Sequence, residues 1–381
     1  MRIAIVVSDP ASGILFYPVY TAVAVKELGH DVTAISWTSQ VMQAGDLERH
    51  LSLNGIKIHM LPILRKSGSL SSILGSAVRR YDKVKCRQHN DFDIIISTGP
   101  YVTWQLCNHL QHDSHFVTIV NAMGSGRKGF WKPRVGAFML NRYSNTVVAL
   151  CHLEQHRLET LGVKSYKIRV IFNPMSNDSI LAKAERFLEM GKAAFLSKLN
   201  LDPERKSIVC LASLLPHKRQ DVLIQAFAKL ACNYPEYDVV LAGEGSELPS
   251  CAKLAHALGI RSRVHFVGRL DNHQAIGLLA CADVAANCSN ADTFGYSMVE
   301  PLLLKKPTIV TRVGIGWELE QADVAEVVPP DDETAFTEGL KRVLQGSSKI
   351  EERLSRGKAF VIENFDVHKI ARQLIAAATE K

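Results

Sequence analysis

Two carboxylates and one ammonium carry the most chemistry in this chain of 381 residues. Asp292 stands in a loop after a predicted strand, followed by Thr293-Phe294-Gly295-Tyr296. Glu300 comes eight residues after it, at what reads as the opening of a helix. A tight turn at Gly295 leading into a helix offers a run of backbone N–H groups that attract an anion without side chains. Glu300, two turns in, can accept from both hydroxyls of a ribose in a bidentate grip. Upstream, Ser213-Leu214-Leu215-Pro216-His217-Lys218-Arg219 joins a predicted strand to a helix. Lys218 sits there as an ammonium suited to phosphate, and Arg219 either shares that role or faces water. A nucleoside diphosphate carrying a sugar fits this set of groups.

Each element has a plainer reading. Two acids eight apart also arise by chance, and a lone lysine in a loop is often only solvated. Gly243-Glu244-Gly245 follows a predicted strand and either makes a tight turn or brings backbone close to a base. Gly268-Arg269 is similarly placed after another strand, with Arg269 at its C-terminal end. Pro301 removes a donor inside the helix that bears Glu300, so that helix is expected to start late or kink.

The elements that must position these groups alternate along the chain. Short β-branched runs fall at 3–7, 31–35, 94–97, 116–120, 146–150 and 168–172, with helical patterns between them. The rhythm pauses over 176–204, a linker of helical character. It resumes with runs at 208–212, 239–242, 264–267, 284–286, 308–311 and 325–328. Such alternation means parallel sheets covered by helices on both faces. The expected architecture is α/β: two Rossmann-like domains, residues 1–175 and 205–360, whose parallel sheets face an interdomain cleft. Residues 361–381 break at Asn364-Phe365 and then resume a helical stripe of Ile370, Leu374 and Ala377, expected to pack back on the first domain.

Composition excludes several classes. The chain is 47% hydrophobic and 22% charged, without an apolar run long enough to span a membrane, and 3–7 reads as a strand rather than a leader. Its eight cysteines are scattered without a Cys-x-x-Cys pair, which fits reduced thiols in a cytoplasmic protein and gives no metal site. The net charge of +7 lies wholly in the first half: residues 1–180 hold 20 Lys/Arg against 12 Asp/Glu. Arg65, Lys66, Arg79, Arg80, Lys83, Lys85 and Arg87 form one basic group; Arg127, Lys128, Lys132 and Arg134 bracket Phe130 and Trp131 in a second. Both groups suit an anionic membrane surface or an acidic acceptor, and peripheral association with the inner face of a membrane is expected. No nucleic-acid motif accompanies the charge.

These pieces resemble the family-4 glycosyltransferases, a retaining group with the GT-B fold, best over residues 146–345. The family's E-x7-E pair with Phe-Gly after the first acid is similar to Asp292–Glu300 here, with Asp for the first Glu. Ala212-Ser213-Leu214-Leu215-Pro216-His217-Lys218-Arg219 is similar to its G-R-L-x-x-x-K-G element. Val170-Ile171-Phe172-Asn173-Pro174 resembles V-I-x-N-G, Pro307-Thr308-Ile309 its downstream proline element, and Val327-Val328-Pro329-Pro330-Asp331 the close of its donor domain.

The resemblance implies a UDP- or GDP-sugar donor in the second domain and a glycan or lipid-linked acceptor on the first, with no tightly bound cofactor and no metal. It assigns the ribose to Glu300, hydroxyls of the transferred sugar to Asp292, sugar or diphosphate to the backbone of Phe294, Gly295 and Tyr296, and the leaving diphosphate to Lys218. Ser213, Arg219, Gly243, Gly245 and Arg269 complete the donor side; Ser12, Gly13 and Asn121 fall on the acceptor side. The departures are Ser213 where the family has arginine and Asn121 where many members have histidine. They feed a competing reading: a degenerate member that holds nucleotide or a partner without turnover.

Overall fold

The computed structural model describes residues 1–6, 16–37, 51–61, 92–109, 114–120, 131–346, 348 and 350–380. Seven strands form one sheet: β1 (Arg2–Val6), β2 (Asp31–Trp37), β3 (Lys57–Leu61), β4 (Ile94–Thr98), β5 (His115–Ile119), β6 (Thr146–Ala149) and β7 (Ile168–Val170). Six form another: β8 (Lys206–Leu211), β9 (Tyr237–Ala242), β10 (Val264–Gly268), β11 (Val284–Asn287), β12 (Thr308–Thr311) and β13 (Glu326–Val328). The orders are β3-β2-β1-β4-β5-β6-β7 and β10-β9-β8-β11-β12-β13, and every pairing is parallel. Both sheets are doubly wound, and the order reverses between β1 and β4 in one and between β8 and β11 in the other.

The strands read as continuous apolar runs because helices cover both faces. All of β4, β6, β9, β11 and β12 is buried. Strand β3 was not expected: Lys57 and His59 alternate with Ile58 and Met60, so this edge strand lacks the β-branched run that marks the others.

The chain divides into two compact units. One comprises Met1–Leu150, Glu154–Met175 and Val367–Lys381; the other comprises Cys151–Leu153 and Ser176–Asp366. In the first, the final helix Val367–Thr379 packs on the helix Phe16–Glu27 and on β5. Thr146 Oγ1 donates to the Ala377 carbonyl at 2.9 Å, and His368 Nε2 lies 2.7 Å from Glu27 Oε2. The helix break falls at Asp366, just after the expected Asn364-Phe365, because Phe365 is fully buried and closes the preceding helix Ile350–Phe365. In the second unit, Phe227 and Phe336 are wholly buried in the core formed with β8, β9 and β11.

At the N-terminal edge of the second sheet, Asp238 anchors a charged cluster. Arg205 Nη2 approaches it at 2.6 Å, Arg263 Nε at 3.1 Å and His265 Nε2 at 2.9 Å. Burial pushes the Asp238 carboxyl up, but hydrogen bonds from His265, Arg205 and Arg263 outweigh it and hold the group at about 2, below its ordinary 3.8. A depressed carboxyl contributes stability above its unfolded value that is lost as pH falls through the folded one. We expect Asp238→Asn to destabilise the protein by about 1–3 kcal/mol at pH 7, since it removes the buried carboxylate that two half-buried guanidinium groups and His265 share. The deficit should shrink between pH 4 and pH 2. Urea denaturation of both forms across that range measures it.

Candidate active site

Loops at the C-terminal ends of β8, β9, β10 and β11 build the site, around the reversal point of the second sheet. The loop after β8 is stitched to the next by backbone alone. Ala212 N donates to Ala242 O at 3.1 Å, Leu214 N to Glu244 O at 2.9 Å, and Glu247 N to Leu214 O at 2.9 Å. Gly243 N in turn donates to Gly268 O at 2.8 Å, tying in the loop after β10. A Cβ at Gly243 would overlap the Ala212 carbonyl, and one at Gly245 the Leu214 carbonyl. Both glycines are therefore required by loop-on-loop contact.

On this platform Pro216–Lys218 makes one turn of 3-10 helix, and Arg219 takes a left-handed conformation (φ 49°, ψ 40°) before the helix Gln220–Leu230. That conformation is unfavourable for an L-residue that carries a Cβ. Arg219 is held in it by ion pairs to Asp221, at 3.0 Å, and to Asp331. The turn is pinned from the loop after β11 as well: Asn290 N donates to His217 O at 2.9 Å and Cys288 Sγ to Lys218 O at 3.3 Å. The result brings Lys218 Nζ to 2.7 Å from Asp292 Oδ2, with both side chains less than one-fifth exposed. Burial, and then the Lys218 charge, lower the neighbouring His217 imidazole, with Asp292 opposing.

Asp292 leads into a buried Phe294, whose ring meets Tyr296 at 5.2 Å and Phe365 at 5.5 Å. Gly295 follows in a left-handed conformation (φ 97°) and begins the helix Tyr296–Leu303, which no side chain caps. That helix starts on time and runs through Pro301; the pyrrolidine is buried, and the helix ends two residues later. Glu300 is partly exposed, one turn before the helix end. Desolvation pushes its carboxyl up to about 7, against the pull of the Lys183 ammonium.

The structure thus brings Lys218, Asp292, Phe294, Gly295 and Tyr296 to one place and sets Glu300 on the same helix. Ser213 is exposed and its carbonyl accepts from Gln220 Nε2 at 3.1 Å. Arg269 is exposed after Gly268. Ser12, Gly13 and Asn121 lie outside the described residues, as does the basic group from Arg65 to Arg87. Lys183, on the helix Asn177–Glu189, and Asp331 were missed as site residues. Neither belongs to a local motif; only the folded chain pairs Asp331 with Arg219 and packs the helix of Lys183 against that of Glu300. Among the described residues no group of three His, Cys, Asp or Glu is arranged to hold a metal ion.

Residues 191–360 match the glycosyl transferases group 1. The match spans a little under half of this chain, all of it within the second unit. The chain is 27% identical over 174 residues to the N-acetyl-alpha-D-glucosaminyl L-malate synthase of Bacillus anthracis, a match covering 45% of each chain. It is 22% identical over 360 residues to an uncharacterized glycosyltransferase of Methanocaldococcus jannaschii, covering 91% of this chain and 89% of that one. Among solved structures, Anabaena HepE in complex with UDP and glucose superposes with a TM-score of 0.76 at 18% identity, covering all of both chains. The fold is that of the GT-B glycosyltransferases, two Rossmann-like units with parallel sheets.

Two arginines stand near Ser213, where the resemblance expects an arginine, and the geometry separates them. Arg219 is engaged by Asp221 and Asp331, whereas Arg269 is exposed at the C-terminal end of β10.

A carboxyl raised on folding costs stability wherever the unfolded chain would ionise it. The penalty appears as pH rises from about 4.5, is complete above about 7, and vanishes in acid. Glu300→Gln is therefore expected to stabilise the ligand-free protein by about 1–3 kcal/mol at pH 8 and by nearly nothing at pH 4.5. Thermal melts of the two forms at both pH values check this.

Proposed function

We propose that the protein is a retaining glycosyltransferase that moves a sugar from a UDP- or GDP-sugar to a glycan or lipid-linked acceptor in glycoconjugate synthesis. The observation that carries this reading is the Lys218–Asp292 pair, 2.7 Å apart, beside the uncapped helix start at Gly295 and at the reversal point of the sheet. The UDP and glucose held by the Anabaena structure support it, as does the N-acetylglucosaminyl relative.

As the glycosidic C–O bond breaks, its electron pair goes to the diphosphate and positive charge develops on the sugar ring. On this reading Lys218 and the N–H groups of Gly295 and Tyr296 stabilise the diphosphate. Asp292 binds hydroxyls of the transferred sugar, and Glu300 binds the ribose diol. Arg269 supplies the phosphate contact that Ser213 lacks. The acceptor hydroxyl attacks from the face the diphosphate leaves and gives up its proton to that leaving group, so no protein nucleophile is needed. The exposed Ser213 in place of arginine favours the second reading, nucleotide binding without turnover.

Nucleotide release from a panel of UDP- and GDP-hexoses tests the first reading. Lys218→Ala should lower kcat about 10²–10³-fold, because the charge on the leaving group grows only in the transition state. Glu300→Ala should act instead on donor KM. Donor binding without release, with or without glycan and lipid acceptors, would establish the second reading in its place.

We further propose that the first unit meets an anionic lipid surface. No helix among the described residues is long and apolar enough to cross a membrane. On the helix Trp131–Tyr143, however, Arg134, Phe138 and Arg142 recur every four residues and are exposed, Phe138 to 66%. A basic and aromatic line of this kind suits an anionic headgroup layer. In sedimentation with phosphatidylglycerol vesicles, Phe138→Ser with Arg142→Glu should lose about tenfold in partitioning. Equal partitioning by the variant would rule this helix out as the contact.

A further inference from the structure

Two residues at the C-terminal end of the second sheet hold a backbone conformation that side-chain-bearing residues avoid, and their side chains hold each other. Arg219 (φ 49°) follows the turn that carries Lys218, and Asp331 (φ 59°) lies shortly beyond β13. The guanidinium and the carboxylate form an ion pair. Strands β11 and β12 lie between β8 and β13, so Asp331 reaches back over two strand ends to meet Arg219. Asn290, from the loop after β11, completes the link. Its Nδ2 donates to both carboxylate oxygens of Asp331 at 3.1 Å, and its backbone N–H donates to the His217 carbonyl at 2.9 Å. Behind Asp331, Asp332 caps the helix Glu333–Gln345 by accepting from Ala335 N at 2.8 Å. That helix packs on Gln220–Leu230, which begins directly after Arg219.

As a stabilising device this clasp is a poor one. A half-exposed ion pair contributes less than a left-handed L-residue costs, and here two such residues are held for one pair, with Arg219 28% and Asp331 49% exposed. The backbone needs no side chain at position 219, since glycine takes the same conformation without strain. Glycine also closes the G-R-L-x-x-x-K-G element that the segment 212–219 resembles, so Arg219 is a departure particular to this chain. Strain kept beside a site is better explained by what it holds in place. Here that is the turn Pro216–Lys218. Asn290 pins the His217 carbonyl, Cys288 Sγ the Lys218 carbonyl at 3.3 Å, and Asp331 the residue that follows. On its other side the same loop is stitched to its neighbours by backbone; on this side, polar side chains and one thiol do that work.

We propose that Asp331 is a positioning residue for Lys218: through Arg219 and Asn290 it sets where the ammonium stands relative to the leaving diphosphate. The inference rests on the donor reading above and adds to it the loop after β13, which that reading does not use. A shift of about 1 Å in a group that stabilises developing charge is felt in the rate far more than in binding of the ground state. Opening the clasp therefore lowers kcat and leaves donor KM nearly as it was. Were Arg219 itself the phosphate contact, releasing it from Asp331 would help the reaction rather than hinder it.

The test is nucleotide release from the UDP- or GDP-sugar that wild type uses, with a thermal melt of every variant. Arg219→Gly and Asp331→Gly each open the clasp and relieve a strained residue, so both should melt no lower than wild type. Both should lower kcat about tenfold while donor KM stays within about twofold. The double variant should be no slower than the slower single one, because both changes remove the same contact. A wild-type kcat in Asp331→Gly overturns the inference; Arg219→Gly alone being slow would then make Arg219 a direct phosphate contact. A lower melting temperature with kcat unchanged in both variants also overturns it, since the clasp would then be structural only. A rise in donor KM equal to the loss in kcat/KM, with kcat unchanged, overturns it as well. If Asp331→Gly does not fold, Asp331→Asn takes its place, since asparagine tolerates the left-handed turn and lacks the charge; a wild-type kcat there overturns the inference. Wild type that releases nucleotide from no sugar donor overturns the transfer reading itself, and this inference with it.

Discussion

The second unit depends on a contact in which no side chain takes part. The loop after β8 lies on the Gly243–Gly245 turn so closely that a single methyl group on either glycine would push the loops apart. Backbone hydrogen bonds between Leu214 and Glu244, and between Gly243 and Gly268, join the ends of three parallel strands into one surface. Everything downstream inherits its position from that surface: the 3-10 turn at Pro216–Lys218, the left-handed Arg219 and the ammonium of Lys218. A parallel sheet leaves its strand ends as separate loops. On the proposed reading a diphosphate needs them to act together, and backbone stitching does this without using up side chains that the ligand would need.

The same economy explains where the strain and the desolvation sit. Arg219 in a left-handed conformation and Glu300 with its carboxyl raised to about 7 are both unfavourable in the free protein. Each is held by its surroundings, Arg219 by Asp221 and Asp331, Glu300 by the helix packing that also supplies Lys183. On the proposed reading, a Glu300 carboxylate left in water would be easier to keep ionised, but its hydrogen bonds to the ribose diol would compete with solvent. Partial burial makes those bonds stronger and makes the empty site less stable, the usual exchange between stability and function.

The sequence carried the fold because its signals are local. Isoleucine and valine runs such as 94–96 and 208–209 mark buried parallel strands, and the alternation with helices sets their crossovers. Strand β3 escaped because an edge strand need not be apolar on both faces. Within the site, Lys218, Asp292 and Glu300 were legible because motif spacing fixes them relative to a strand end. Lys183 was not, since it sits 117 residues before Glu300 on a helix that read as a linker. The role of Gly243 and Gly245 also changed. Their spacing admitted a turn or an approach to a base, and the coordinates show a third cause, the neighbouring loop.

The free protein stores its binding charges against each other. Lys218 and Asp292 meet at 2.7 Å with little solvent between them, so each spares the other an uncompensated burial. On the proposed reading their ligands differ: phosphate for the cation, sugar hydroxyls for the anion. A nucleoside diphosphate without its sugar would take Lys218 and leave Asp292 unpaired, whereas a complete donor gives both a new partner. The ion pair thus discriminates against bare nucleotide, because partial occupancy must bear the desolvation of the abandoned carboxylate. After transfer the product is that partial ligand. The closing of Lys218 back onto Asp292 then favours departure of the nucleotide, and one contact serves both to select the donor and to release what remains of it.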